Sequence, residues 1–187
     1  MPNRLRTLLG TLMLIAIAAQ AQPLPVQSVA AVDLARYAGN WYEIAAFPMF
    51  FQRQCVGDTT ARYTQRPDGE IDVYNRCRTA DGFDDATGRA WAVAGTGNAQ
   101  LKVSFFWPLR SDYWVIGLAD DYRWAVVGNP DRKYLWVLSR TPVLPADELD
   151  KALQAATRQG FDLAQLKYTR HGQATGSSPP ASSRALR

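Results

Sequence analysis

Few side chains in this 187-residue chain could carry chemistry. Cys55 and Cys77 are the only thiols, His171 is the single histidine, and adjacent carboxylates occur as Asp84-Asp85 and Asp120-Asp121. A Ser-His-Asp or Cys-His relay needs an imidazole base inside the fold, and a histidine metal cage needs more than one. His171 borders a terminus rich in Ser, Pro and Gly, so it is expected to serve neither. Adjacent residues on a strand face opposite ways, and both Asp pairs sit in turn-like sequence, so they read as solvated turns rather than acid-base dyads. No GxGxxG opens a helix after a strand and no GxxxxGK[ST] is present, which removes the common nucleotide signatures. The expectation is no catalytic residue, no metal and no cofactor.

The two cysteines show neither CxxC nor metal-ligand spacing, so in an exported chain they are expected to form one disulfide, with zinc or thiol chemistry as the minor reading. They flank a hairpin joining "DTTARYT" (58 to 64) to "EIDVYNR" (70 to 76) through Arg66-Pro67-Asp68-Gly69. Counting outward from that turn leaves Cys55 out of register with Cys77 by about three residues, so a bridge requires a bulge or loop at the strand ends. Closing a loop of about 23 residues stabilises a fold by roughly 3 kcal/mol in the chain-entropy model.

Export is read from the first 21 residues. Arg4 and Arg6 precede an apolar run from Leu8 to Ala19, and Ala19-Gln20-Ala21 has the form of a signal peptidase site. Cleavage is expected after Ala21. A run of about 12 residues is too short to span a bilayer, which takes roughly 20. No cysteine lies at the cleavage point to carry acyl chains, so the mature chain is expected to be free in the periplasm if the source is Gram-negative, with any membrane contact peripheral. The net charge of +4 comes from the ends, because residues 22 to 170 hold 17 basic and 17 acidic residues. The basic residues are dispersed, which excludes the usual footprint of nucleic-acid binding.

The elements that would position these side chains follow from period. Residues 22 to 32 carry two prolines and no period and read as an extended leader. Between Trp41 and Ser139 about eight short runs rich in Val, Ile, Tyr, Trp, Phe and Thr alternate with turn signals, the spacing of an all-β sandwich or barrel. In "QLKVSFF" (100 to 106), Leu101, Val103 and Phe105 alternate with Lys102 and Ser104, giving one buried and one wet face. After Pro142 the period becomes helical: Leu149, Ala152, Leu153 and Ala156 form one stripe, with Pro145 at the start and Gly160 as the stop, predicting a helix over about 146 to 159. Asp147, Glu148 and Asp150 favour its N-terminus through the helix dipole. "AQLKYTR" (164 to 170) could add a strand, and residues 171 to 187 read as a disordered tail.

Six Trp and eight Tyr exceed what one small β core needs. A closed sheet of about eight strands leaves room for side chains or one small ligand, so the excess favours a binding cavity over turnover.

Gly39-Asn40-Trp41-Tyr42-Glu43, Asp121-Tyr122 and Leu138-Ser139-Arg140 resemble, in order and spacing, the three short signatures of the lipocalins. "NWYEIAAFP", "LKVSFFWP" and "DRKYLWVLSRTP" are similar to the branch that holds bacterial lipocalins and apolipoprotein D, and the resemblance covers about residues 33 to 170. It implies an eight-stranded antiparallel up-and-down barrel with one C-terminal helix, closed at one end and open at the other. It also implies structural roles for Gly39, Trp41, Asp121, Tyr122 and Arg140, with Arg140 over the Trp41 indole at the closed end. Tyr63 and Trp136 match cavity-lining positions of the branch, and parity adds Ala61, Val103, Phe105 and Leu138. Glu43 shares the parity of Trp41, and a buried hydrogen-bond or salt-bridge role is expected for it rather than catalysis. The implied ligand is a fatty acid, lysophospholipid or related amphiphile, carried or stored in envelope lipid maintenance. Peripheral membrane contact and a homodimer are left open, and Phe50, Phe51 and Trp107 could form either a protein-binding rim or a mouth for lipid entry. The rival class is a lipid-modifying enzyme on the same barrel, for which Cys55 or Glu43 would have to act. The cysteine pair departs from the long-range disulfides of the animal members.

Overall fold

The computed structural model describes residues 24–172. The expected signal peptide and residues 173–187 of the expected tail lie outside the described residues. After a short helix α1 (Leu34–Tyr37), eight strands run in chain order: β1 (Gly39–Ala46), β2 (Gly57–Gln65), β3 (Ile71–Arg78), β4 (Phe83–Ala92), β5 (Gln100–Ser104), β6 (Ser111–Leu118), β7 (Trp124–Gly128) and β8 (Leu135–Ser139). Helix α2 (Ala146–Arg158) and a two-residue strand β9 (Lys167–Tyr168) follow. Each of β1 to β8 pairs antiparallel with its chain neighbour, and β1 also pairs with β8, which closes the sheet into the expected barrel.

Up-and-down order gives the barrel two unlike ends. The turns after β2, β4 and β6 lie at the end where β1 begins. That end is capped by α1 and the leader: Val29 donates its backbone N–H to Val115 and Val32 to Gly97, both at 2.8 Å. The long connection over residues 47 to 56, with those after β3, β5 and β7, rims the other end.

Alternation sorts the strand residues into two cores. Val115, Ala125, Val127 and Leu138 face inward and pack with Trp41 near the capped end. Their neighbours Ile116, Trp124, Val126, Leu135 and Val137 face outward, where Ala152, Ala155 and Ala156 of α2 cover them. The approach is close because position 117 is glycine: a Cβ there would lie 2.7 Å from that of Ala155. The helix ends at Arg158, close to the length its stripe predicts, with Gly160 in left-handed backbone at φ 77°.

Three local expectations are corrected. Strand β4 begins at Phe83, so Asp84 and Asp85, expected in a solvated turn, stand in the strand opposite Cys77 and Arg76. Cross-strand contacts outweigh the low strand propensity of Asp here: Arg76 lies 3.6 Å from Asp85 and over the Phe83 ring. Strand β5 ends at Ser104, so Phe105 and Phe106 leave the sheet. His171 is not the start of a loose tail, because its side chain is only 6% exposed and packed in the barrel wall.

Candidate functional site

The capped end is sealed by one cationic side chain over one indole. Trp41 is fully buried, donates Nε1–H to the Tyr37 carbonyl at 2.8 Å, and lies with its ring centre 3.7 Å from the Arg140 guanidinium. Cation-π attraction of this kind contributes about 0.5–2 kcal/mol. Arg140 also donates to the carbonyls of Asn40 (2.8 Å), Arg36 (2.6 Å), Tyr37 (3.2 Å) and Tyr122 (3.3 Å), tying β1, α1 and the β6–β7 turn together. Burial lowers its pKa from the ordinary value, with nearby Tyr37 and Tyr63 acting in opposition. Gly39 lies against the guanidinium with φ 94°, a backbone that other residues rarely adopt. Asp121 accepts the Arg123 backbone N–H at 3.2 Å, and the Tyr122 hydroxyl accepts the Asp33 N–H at 2.9 Å, so both shape the same end.

Above that seal three tyrosines form a polar floor. Tyr37 and Tyr113 hydroxyls lie 2.8 Å apart, and Tyr113 donates to Tyr63 at 3.0 Å. A phenol has one proton, so Tyr37 donates to Tyr113 and the Tyr63 proton is left for an acceptor in the lumen. Burial raises all three pKa values, that of Tyr63 to about 12, which keeps the hydroxyls neutral donors at physiological pH.

The walls rise from this floor. Ala61 pairs with Trp41, Tyr63 with Val73, Val103 with Ala90, and Leu138 with Ala125, all on the inward face. Trp136 pairs with Ala46 and Val127, and its ring stacks on Tyr134 at 6.0 Å. Phe105 lies beyond the end of β5 with its ring over Gly88, at the rim rather than on a strand. Leu138 is nearly fully buried, but Ala61, Tyr63, Val103 and Trp136 are only partly buried, and Ala86, facing the same way, is exposed. Inward-facing residues reach solvent only through the lumen. The barrel is therefore a cup, sealed near Trp41 and open towards Trp136 and Ala86.

The disulfide stands at the open end. Cys55 is bonded to Cys77 with Cα atoms 5.5 Å apart, and the β2–β3 register shifts between Gly57 and Thr60, which supplies the irregularity that the sequence count demands. Cys55 thus has no free thiol.

Glu43 is 7% exposed and sits at a seam. Only the first half of β1 pairs with β2; above it, the segment ending in His171 is wedged between them. Thr169 donates its backbone N–H to Ile44, and Asp58 donates its own to Arg170, so this segment bonds to both strands. The Glu43 carboxylate accepts from the Thr169 hydroxyl at 2.5 Å and from Gln52 Nε2 at 3.1 Å, while its carbonyl accepts His171 Nε2–H at 2.8 Å. Burial raises the Glu43 pKa, opposed by those two hydrogen bonds. Its oxygens are occupied structurally.

Aromatic and apolar side chains crowd the rim. Phe50, Phe51, Phe106, Trp107 and Leu109 are exposed, and Arg110 stacks on Trp107 at 4.7 Å and on Trp91 at 5.4 Å. A groove of about 600 Å³ runs from Trp107 and Phe105 down the outer wall to Glu70 and Asp72. Its lining combines Asp72, Arg89 and Trp91, which point outward, with Gly88 and Phe105 at the rim.

Residues 32–171 match the family described as a lipocalin-like domain. The chain is a lipocalin. It is 40% identical over 154 residues to the outer membrane lipoprotein Blc of Escherichia coli K12, covering 80% of this chain and 86% of that protein. To the temperature-induced lipocalin-1 of Arabidopsis thaliana it is 35% identical, covering 86% and 88%, and to apolipoprotein D of Macaca fascicularis 32%, covering 73% and 76%. Among solved structures, insecticyanin from the tobacco hornworm superposes with a TM-score of 0.66 at 22% identity, covering 80% of this chain and 86% of that one, and shares the fold.

The sequence did not single out Tyr37, Tyr113, Asn75, Thr169 or a structural role for His171. Asn75 alone had a usable signal, since it falls two residues from Val73 on an alternating strand.

Proposed function

We propose that this lipocalin is a noncatalytic carrier of single-chain amphiphiles, fatty acids or lysophospholipids, which enter the cup acyl chain first. The observation that carries the reading is the one-ended lumen: inward-facing Ala86, Val103 and Trp136 are reached by solvent while Trp41, Val115 and Val127 are fully buried. Burying eight methylenes at about 0.8 kcal/mol each gives roughly 6 kcal/mol before association costs, in keeping with micromolar affinity. Tyr63, Trp136, Val103, Leu138 and Ala61 are the lining residues of this reading, with Phe105 at its mouth. Catalysis has no part in it, because the Cys55 thiol is bonded and the Glu43 carboxylate is occupied.

The rim residues Phe50, Phe51, Phe106 and Trp107, with Arg53 and Arg110 beside them in sequence, suit peripheral contact with an anionic lipid surface during loading. Bacterial relatives are named outer membrane lipoproteins. For this chain a periplasmic place is proposed, since a disulfide suits an oxidising compartment and both cysteines are engaged in it.

Titrating delipidated protein with a fatty acid and with a lysophospholipid, read by tryptophan fluorescence, tests the proposal. Saturable binding is expected, weakened by about tenfold in Trp136→Ala, equivalent to 1.4 kcal/mol. Absence of saturation with both lipids would refute it. Flotation with anionic vesicles, compared with sedimentation of the protein alone, separates membrane contact from a homodimer using the same rim.

A further inference from the structure

Asn75 is a polar residue of the lumen wall with alanine opposite it on both neighbouring strands. It pairs with Ala61 on β2 and Ala86 on β4, and so faces inward with Ile71 and Val73, which are buried. The next inward pair towards the floor is Val73 with Gly88. The carboxamide thus has alanine on both flanking strands, and the Phe105 ring over Gly88 borders the space before it. Its Oδ1 is the one buried side-chain oxygen or nitrogen among the described residues that has no hydrogen-bond partner. The residue as a whole is only partly buried, so the lumen reaches the carboxamide, but Oδ1 itself has almost no accessible surface and meets a ligand only when the amide turns.

A buried amide oxygen without a partner is costly, and a site holding one favours a ligand that completes the bond over an analogue that cannot. The complement need not be charged. No Lys or Arg faces inward among Ala61, Val73, Ala86, Gly88 or Ala90, and the inward pair on the rim side of Asn75 is Cys77 with Asp84, which adds negative charge. A carboxylate or phosphate would be unsupported at this depth. An aliphatic hydroxyl donates and accepts, and therefore pairs with the carboxamide whichever way the amide is turned.

We infer that Asn75 is a specificity-determining residue that takes a neutral hydroxyl of a single-chain lipid, carried either on the acyl chain or on a glycerol unit. This rests on the reading of the barrel as a lipid cup and adds what the cup selects.

Competition binding on the purified protein tests it with two matched pairs: octadecanoic acid against a mid-chain hydroxyoctadecanoic acid, and methyl hexadecanoate against monohexadecanoylglycerol. The native protein binds the hydroxylated member of at least one pair tighter by about tenfold, and which pair shows the preference identifies the source of the hydroxyl. Asn75→Leu abolishes the preference, keeps affinity for the plain lipid and melts at a higher temperature, because the orphan oxygen is gone. Asn75→Ala repeats the binding test if the larger side chain disturbs folding. Equal binding within both pairs, or a preference that survives both substitutions, overturns this inference alone. Failure of all four lipids to bind saturably overturns the cup reading and this inference with it.

Discussion

Arg140 serves four carbonyls and one indole from a single planar group, a set that an ammonium on a flexible stem cannot reproduce. Arg140→Lys is therefore expected to lower unfolding free energy in urea by about 2 kcal/mol, given the worth of charged hydrogen bonds and cation-π contacts. Glu43 gives a pH test. Its folded pKa is raised by burial, so the native state holds its proton more tightly than the unfolded chain does. Stability from this group is full below the ordinary carboxylate range and falls as pH rises through the folded pKa. Glu43→Gln should remove that decline while Gln52 turns its amide to restore the bond, and melting temperatures across mildly acidic to neutral pH would show it. Trp41, Arg140 and the burial of Glu43 were legible in the sequence, because short signatures and parity point to them, but parity left hydrogen bond and salt bridge open for the Glu43 carboxylate. The tyrosine floor was not: Tyr113 sits in "DYWVIGL", apolar on both faces, where alternation does not say which way a side chain points. His171 was hidden for another reason, since its partners Glu43 and Asp58 lie more than a hundred residues away and no local pattern records them.

Among elements, the β2–β3 hairpin and its disulfide were the most legible, as turn chemistry and register counting required an irregularity near Cys55 and the register shifts there. The bridge closes a loop between residues 22 apart in sequence. Replacing both cysteines with serine should cost about 3 kcal/mol in the chain-entropy model, measured by urea unfolding, with β-rich circular dichroism retained. Full stability in the double variant would mean that the rim is held without the bridge. The outer half of β4 was misread as a turn, because Asp and Gly oppose strand propensity and only the partners Arg76 and Cys77 on β3 reveal the pairing. Helix α2 was read nearly to its ends, since a single apolar stripe sufficed and its partner wall did not need to be known.

At the scale of the whole molecule, the architecture is a closed wall with a sealed base, an apolar lumen and an aromatic rim. Turn spacing gave about eight strands in a sandwich or barrel, and the up-and-down order came from the lipocalin resemblance, but lumen shape was not legible. It depends on where small residues coincide on neighbouring strands, as Ala61, Ala86 and Gly88 do around Asn75, and coincidence is a property of register. In the proposed function the lumen holds the lipid. Ala86→Trp tests it most directly, because Ala86 faces inward and is exposed, so an indole there fills the cup without disturbing the packed core. Fatty-acid titration of the two proteins should show saturable binding to the native barrel and affinity reduced by about tenfold or more in Ala86→Trp, at unchanged melting temperature. Undiminished binding in the filled barrel would contradict the account.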